Sequence, residues 1–298
     1  MDTRKLKYFL AVVDYGGFSR AAEQLFIAQP SLSQSVSSLE RDLGVSLFHR
    51  IGRTAVLSNA GRELLGPARQ VMRDLESAVA AVQSVKSLTS GRLELITMPS
   101  PGIEPMATLS SAYSASFPGV QLDIRAAFTP EEVIDSVRSG QTEIGLAGTP
   151  STIQVAGMNV LQLKPQPFIL IVNPHADVFE PDQTDIELHT LAGHRMIASQ
   201  RGSQMRRLID EAVSAGAAIH IAAQVAHRTS ILPLVSAGIG HAVMPAAWKS
   251  TARRSGLRTL MITPREYLHV ALLSRTEHLT PAAQGFLQVA ETIGDLYA

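Results

Sequence analysis

The stretch Ser19-Arg-Ala-Ala-Glu-Gln-Leu-Phe-Ile-Ala-Gln-Pro-Ser-Leu-Ser-Gln-Ser-Val-Ser-Ser-Leu-Glu-Arg-Asp-Leu-Gly44 reads as two short helices around a tight connection. Ala21, Ala22 and Leu25 give the first helix a small apolar face, and Ser19 has the short hydroxyl side chain that suits an N-cap. Phe26-Ile27-Ala28 makes the turn. Pro30 fits the first position of the second helix, where its missing N–H is no loss. In that helix Leu32, Val36, Leu39 and Leu43 recur at helical spacing as one apolar stripe. The opposite face carries Ser33, Gln34, Ser37, Ser38 and Arg41, polar and short but nearly uncharged. Such a face fits a DNA major groove, where Gln is a natural partner of adenine. Gly44 closes the helix from the C′ position. Periodicity alone leaves an ordinary helical hairpin with a solvated side slightly ahead; the neighbouring segments change the balance.

Upstream, Leu6, Phe9, Leu10 and Val13 mark an amphipathic helix broken by Gly16-Gly17, so three helices are available to build a helix-turn-helix core. Downstream, the segment from Leu47 to Leu57 reads as a β-hairpin with Gly52 near its tip and Arg50 and Arg53 beside it. Basic residues on a projecting wing meet phosphates and set register without reading sequence. A long helix then runs from about Asn59 to Lys86. Its Leu64, Ala68, Val71, Leu75, Ala78, Val82 and Val85 alternate spacings of four and three, a heptad seam that pairs chains as a coiled coil. Few of its members are leucine, and Pro67 predicts a kink near the start. The competing reading is an amphipathic helix lying on its own domain. Ser87 to Gly91 ends the helix as a linker.

The 298 residues suffice for two or three domains, and 45% hydrophobic with 17% charged content describes a globular protein with sizeable cores. The net charge of zero is unevenly spread: residues 1–90 hold 11 Lys/Arg against 8 Asp/Glu, and residues 91–298 hold 15 against 18. The positive excess sits with the helical head, as a nucleic-acid partner requires. The absence of cysteine excludes disulfides, thiol nucleophiles, cysteine-ligated zinc and thiol redox sensing. No apolar run reaches transmembrane length and the polar start is no signal peptide, so a cytoplasmic protein without membrane contact is expected.

From Arg92 the pattern changes to strands alternating with helices, an α/β architecture. Strands are expected at 92–98, 120–125 and 143–147, then in a second series beginning near Pro165-Gln-Pro167, at 168–172, 195–198, 220–225 and 240–244. Thr129-Pro130-Glu131-Glu132 opens one helix with a capping-box pattern. Others begin near Ser100, Ser203 and Arg228. A last strand spans 267–274, and Thr280-Pro281 opens a C-terminal helix.

The Ser19-Arg-Ala-Ala run, Gln29-Pro30-Ser31-Leu32-Ser33, Leu39-Glu40, Leu43-Gly44, Leu47-Phe48-His49-Arg50 and Leu57-Ser58-Asn59-Ala60-Gly61 together resemble the N-terminal domain of LysR-type transcriptional regulators. The match is dense over about the first 65 residues and follows layout rather than motif beyond them. Ala55 and Ser58 depart from the basic residue or threonine common in the family. The resemblance implies a winged helix-turn-helix over 1–58, a linker and dimerisation helix with hinge over 59–91, and an effector-binding domain over 92–298. That domain would resemble a periplasmic binding protein, with lobe I near 92–162 and 268–298 and lobe II near 163–267. It implies a double-stranded DNA operator contacted from Ser19, Arg20, Gln29, Pro30, Ser31 and the polar helix face. It also implies a homodimer pairing again to a homotetramer, and contact with RNA polymerase if the protein activates.

No nucleophile–base set, phosphate loop, dinucleotide fingerprint or metal-ligand spacing is present, so no enzyme, cofactor or metal is expected. A small-molecule inducer between the lobes is expected instead, a carboxylate suiting free N–H groups at helix starts. Ser100 and Ser203 sit at two such openings, Arg201 beside the second, and Thr129 at a third where Glu131 and Glu132 repel an anion. The resemblance places effector contacts at these turns. Pro101, Phe128 and Met244 are apolar neighbours that serve equally as core. The competing class is a solute-binding or enzymatic α/β protein with an incidental helical N-terminus.

Overall fold

The computed structural model describes residues 2–51, 54–83, 91–175, 179–180, 182–277 and 279–297. The head is three helices, α1 (Thr3–Asp14), α2 (Phe18–Gln24) and α3 (Gln29–Leu43), followed by a hairpin of β1 (Phe48–Ile51) and β2 (Thr54–Leu57). Leu32, Val36 and Leu39 of α3 are buried against α1 and α2, as the stripe required. Gly44 ends α3 at φ 71°. Ser19 caps nothing: α2 begins a residue earlier, behind Gly17, because the Gly16-Gly17 turn already fixes its start. Gly52 and Arg53 lie outside the described residues.

Helix α4 (Asn59–Gln83) runs through Pro67 without interruption. The seam divides. Ala68 is buried and Leu64 partly buried in the head's own core, so these two serve the intrachain packing rather than a partner. Val71 and Leu75 stay 38% and 45% exposed. Ala78 and Val82 fall where only the backbone is described, and Val85 lies outside the described residues. Arg73 buries its guanidinium on the rest of the molecule, donating to the Gly140 carbonyl. Gly140 has φ 66°, and a Cβ there would stand 2.7 Å from Arg73 Nη2, so the seat favours glycine.

Beyond the linker, β3 (Gly91–Thr97), α5 (Pro99–Ile103), α6 (Met106–Ser116), β4 (Val120–Ala126), α7 (Pro130–Arg138) and β5 (Ile144–Thr149) build a parallel β4-β3-β5 edge. β6 (Met158–Val172) is a single 15-residue strand rather than the strand beginning after Pro167. β7 (Asp185–Glu187), β8 (Arg195–Ser199), α8 (Gln204–Ser214), β9 (His220–Val225), α9 (Ile231–Ser236), β10 (Ala242–Pro245), α10 (Lys249–Arg254) and β11 (Arg258–Thr263) follow. β12 (Tyr267–Arg275) and α11 (Pro281–Tyr297) complete the chain. The main sheet runs β4-β3-β5-β12-β6-β11-β7, with β10 also on β6 and a separate β8-β9 pair. β6 and β12 pair along most of their length. Their register shift between Leu268 and Val270 falls opposite Lys164 and Pro165, so a bulge absorbs the proline that cannot donate to the ladder. These two strands carry the chain from one apolar core, around Leu93, Leu146 and Phe286, to the other, around Phe168, Ile197 and Met244.

Candidate nucleic-acid interface and ligand cleft

The outer face of α3 is open. Gln29, Pro30, Ser31, Gln34, Ser37 and Arg41 are exposed, Ser33 and Ser38 half-buried. Among the described residues none of their side chains has a hydrogen-bond partner. The buried stripe thus fixes the helix from behind and leaves its donors and acceptors for something outside. Ser19 and Arg20 of α2 are exposed beside it, and Arg20 rests on the Gly16 carbonyl at 2.7 Å. The wing is secured from α3 itself: Glu40 Oε1 accepts from the backbone N–H of Leu47 at 2.8 Å. That bond orients the hairpin carrying Arg50 relative to the reading face.

The second assembly joins segments far apart in the chain. Ser100 is the second residue of the short helix α5, which Met98 precedes as N-cap; Ser100 therefore caps nothing, and α5 is too short to present a helix dipole. Its side chain is fully buried. Arg228 Nη1 donates to Ser100 Oγ at 3.0 Å, and Trp248 Nε1 donates to the same oxygen at 3.2 Å. Having accepted twice, the hydroxyl keeps its own proton to give. Arg228 is half-buried and differs from the buried Arg206 in its partners. The buried Arg206 holds Asp210 at 2.7 Å, whereas Arg228 meets no carboxylate among the described residues. Desolvation lowers its pKa to about 10, so it remains a cation at neutral pH. Pro101, next to Ser100, is buried in α5.

The other expected contacts separate. Ser203 Oγ accepts from the Arg206 N–H at 3.2 Å and donates toward Gln200 O and Ser199, the behaviour of a cap. Arg201 is exposed in the turn before α8. Thr129 caps α7, receiving the Glu132 N–H at 3.2 Å, while Glu132 Oε2 receives the Phe128 N–H at 2.7 Å. Phe128 itself is 60% exposed. Met244 is wholly enclosed in the apolar core beside Ile169, so it belongs to the core and is removed from the cleft. Arg228 and Trp248 were missed because they lie 128 and 148 residues from Ser100. A signal existed: between Glu211 and Glu266 the chain carries no acidic residue, so an enclosed arginine there has no nearby counter-ion in sequence. Among the described residues no cluster of three metal-ligating side chains occurs, and no helix is long and apolar enough to cross a membrane.

Residues 3–62 match the family model described as a bacterial regulatory helix-turn-helix protein of the lysR family, and residues 86–293 match the LysR substrate binding domain. The regulator IlvR of Caulobacter vibrioides is 28% identical over 298 residues, 99% of either chain. TfdT of Cupriavidus pinatubonensis is 33% identical over 161 residues, 54% of this chain and 70% of that one. Among solved structures, a full-length OxyR variant from Pseudomonas aeruginosa superposes with a TM-score of 0.70 at 21% identity, covering 99% of this chain and 94% of that one. Full-length CbnR complexed with its target DNA does so with 0.67 at 23% identity, covering 98% and 99%.

Proposed function

The chain belongs to the LysR family of bacterial transcriptional regulators, and from that membership we propose how this member reads DNA and what it senses. It is a DNA-binding regulator with an effector-binding domain, not an enzyme. Ser33 and Gln34 of α3 read base edges, with Gln29, Ser31, Ser37, Ser38 and Arg41 around them, and Arg50 and Arg53 of the wing hold the phosphates. The effector is a small carboxylate bound at the turn of Ser100, Arg228 and Trp248. One observation carries this: Arg228 is a desolvated cation without a carboxylate among the described residues, fixed beside a hydroxyl with a proton to donate. Thr129 and Arg201 are assigned as outer contacts of the same effector, and Ser203 as the cap of α8. Ligand binding acts on DNA through its different affinity for two arrangements of the chain.

Isothermal calorimetry against a panel of small mono- and dicarboxylates tests the site. An Arg228→Gln variant that binds every active acid as tightly as the parent overturns it. The exposed Val71 and Leu75 support pairing of α4 between chains, then of dimers to a tetramer, with RNA polymerase as partner where the protein activates. Leu75→Glu places charge in that seam and is expected to dissociate the dimer together with operator binding. Sedimentation showing an unchanged oligomer rules the seam out.

A further inference from the structure

Three helices of the head end in the same way, with one exception of side chain. At the end of α2 the N–H of Ile27 bonds the carbonyl of Ala22 at 3.0 Å, and the N–H of Phe26 bonds that of Glu23 at 3.1 Å. This is the Schellman pairing, which requires a left-handed residue at C′ and strongly favours glycine there. Gly16 and Gly44 hold that place after α1 and α3, and Gly140, Gly216 and Gly256 hold it in the larger domain. Among the described residues Phe26, at φ 53°, is the one non-glycine with positive φ. A bulky side chain is disfavoured in that region, so the local fold gains nothing from it.

Nor does the core gain. Leu25 and Ile27 on either side turn inward and pack with Val36 and Ala21, while Phe26 is 95% exposed. The phenylalanine therefore sits in a strained conformation with its ring in solvent, three residues before the start of the reading helix. A recognition helix enters the major groove by its N-terminal end, and the exposed Gln29, Pro30 and Ser31 form that end here. Phe26 lies three residues upstream of that end, joined to it by Ile27 and Ala28. In the groove the apolar feature offered to such a side chain is the thymine methyl group.

We propose that Phe26 is a specificity-determining residue that packs its ring on a thymine methyl at the margin of the half-site read by α3. This rests on α3 being the reading helix. The turn then offers an exposed ring next to the start of α3.

The test uses the full-length protein and a duplex it selects from a random pool, prepared also with uracil replacing each thymine in turn. Phe26→Gly removes the ring while supplying the residue the turn prefers, so this variant is expected to melt no lower than the parent. It is expected to bind the selected duplex about tenfold more weakly. One thymine-to-uracil replacement is expected to weaken the parent by a similar factor and to leave Phe26→Gly unaffected. Equal binding by parent and Phe26→Gly overturns the proposal, as does equal sensitivity of both to every uracil. A variant that binds the duplex normally but no longer activates transcription also overturns it, placing the ring on a protein partner. Gln34→Ala is measured alongside. If it too leaves binding and base preference intact, the reading helix has been misassigned; if it alone weakens binding, only the role of Phe26 fails.

Discussion

Helix α3 spreads four serines and Gln34 over a face where, among the described residues, no side chain has a partner, while the lone Ser100 of α5 is enclosed and receives two donors. The same residue type is thus placed in opposite conditions. On α3 the backbone is fixed by burial of the far side and the polar groups wait for a duplex, whose base edges supply both donors and acceptors. Around Ser100 the polar groups are already organised, and what is unbalanced is charge: Arg228 has no counter-ion among the described residues. A surface that reads a large polar partner needs a firm support. A site that takes a small anion needs a cation held in a low-dielectric setting, where pairing is worth more than in water.

The sharpest way to break this contrast is to exchange the two faces of α3. Leu32 is fully buried, and Leu32→Ala is expected to lower unfolding stability by about 2–5 kcal/mol, carrying DNA binding down with it. Gln34→Ala on the exposed face is expected to leave stability within about 0.5 kcal/mol of the parent. It should nevertheless weaken binding at one base pair by about 1–3 kcal/mol. Urea titrations with fluorescence anisotropy on the same preparations separate the two. Comparable stability losses would mean that α3 has no free face.

At the cleft, Arg228→Gln keeps a donor for Ser100 but removes the charge. We expect carboxylate affinity to fall by roughly 10–100-fold, the value of a charge-assisted bond, with unliganded operator affinity unchanged. If operator affinity falls instead, Arg228 supports the fold rather than the ligand, and the difference between the two regions disappears.

Acid should act on one region before the other. His241 is buried between Phe179 and His194, and desolvation, helped by His194, pushes its pKa down to about 4. A depressed histidine is neutral in the folded state, while the unfolded chain takes up a proton near pH 6.5, so stability falls as pH drops through that interval. At pH 5 the loss is about 2 kcal/mol relative to pH 7. Circular dichroism and denaturant midpoints at the two pH values, repeated with His241→Leu, read it. The expected result is a smaller acid shift in the variant, and an unchanged shift refutes the assignment.

Much of the head was legible because its signals are local. The stripe of α3, Gly44 and the hairpin depend on residues within a few turns of one another. Thr129 and Glu132 likewise declared a cap from four consecutive residues. What sequence hid was set at long range. The Pro165-Gln166-Pro167 segment reads as a break, yet Lys164 and Pro165 bulge opposite His269 of β12 and the strand continues. β11 and the three-residue β7 were not foreseen, since each is defined by its pairing. Ser19 failed as a cap because a glycine turn upstream had fixed the helix start. Ser100 acquires its meaning from Arg228 and Trp248, whose approach no periodicity encodes.

Ser203 offers the smallest and most discriminating test, because two readings of one hydroxyl differ in sign rather than size. As a cap it satisfies the Arg206 N–H, and losing that bond by Ser203→Ala costs about 1 kcal/mol of stability. Ser203→Asp retains an acceptor and places a negative charge at the start of the 11-residue α8, which a helix N-terminus favours. A cap therefore predicts that the aspartate variant matches or exceeds the parent in thermal stability while the alanine variant falls below it. A contact to a carboxylate effector predicts something different: aspartate repels the ligand and lowers affinity more than alanine does. Melting temperature and calorimetric affinity, measured on both variants, place Ser203 on one side. Unchanged ligand affinity with the order Asp above Ala in stability leaves the cleft centred on Ser100 and Arg228. Loss of affinity in the aspartate variant alone extends the site to the start of α8.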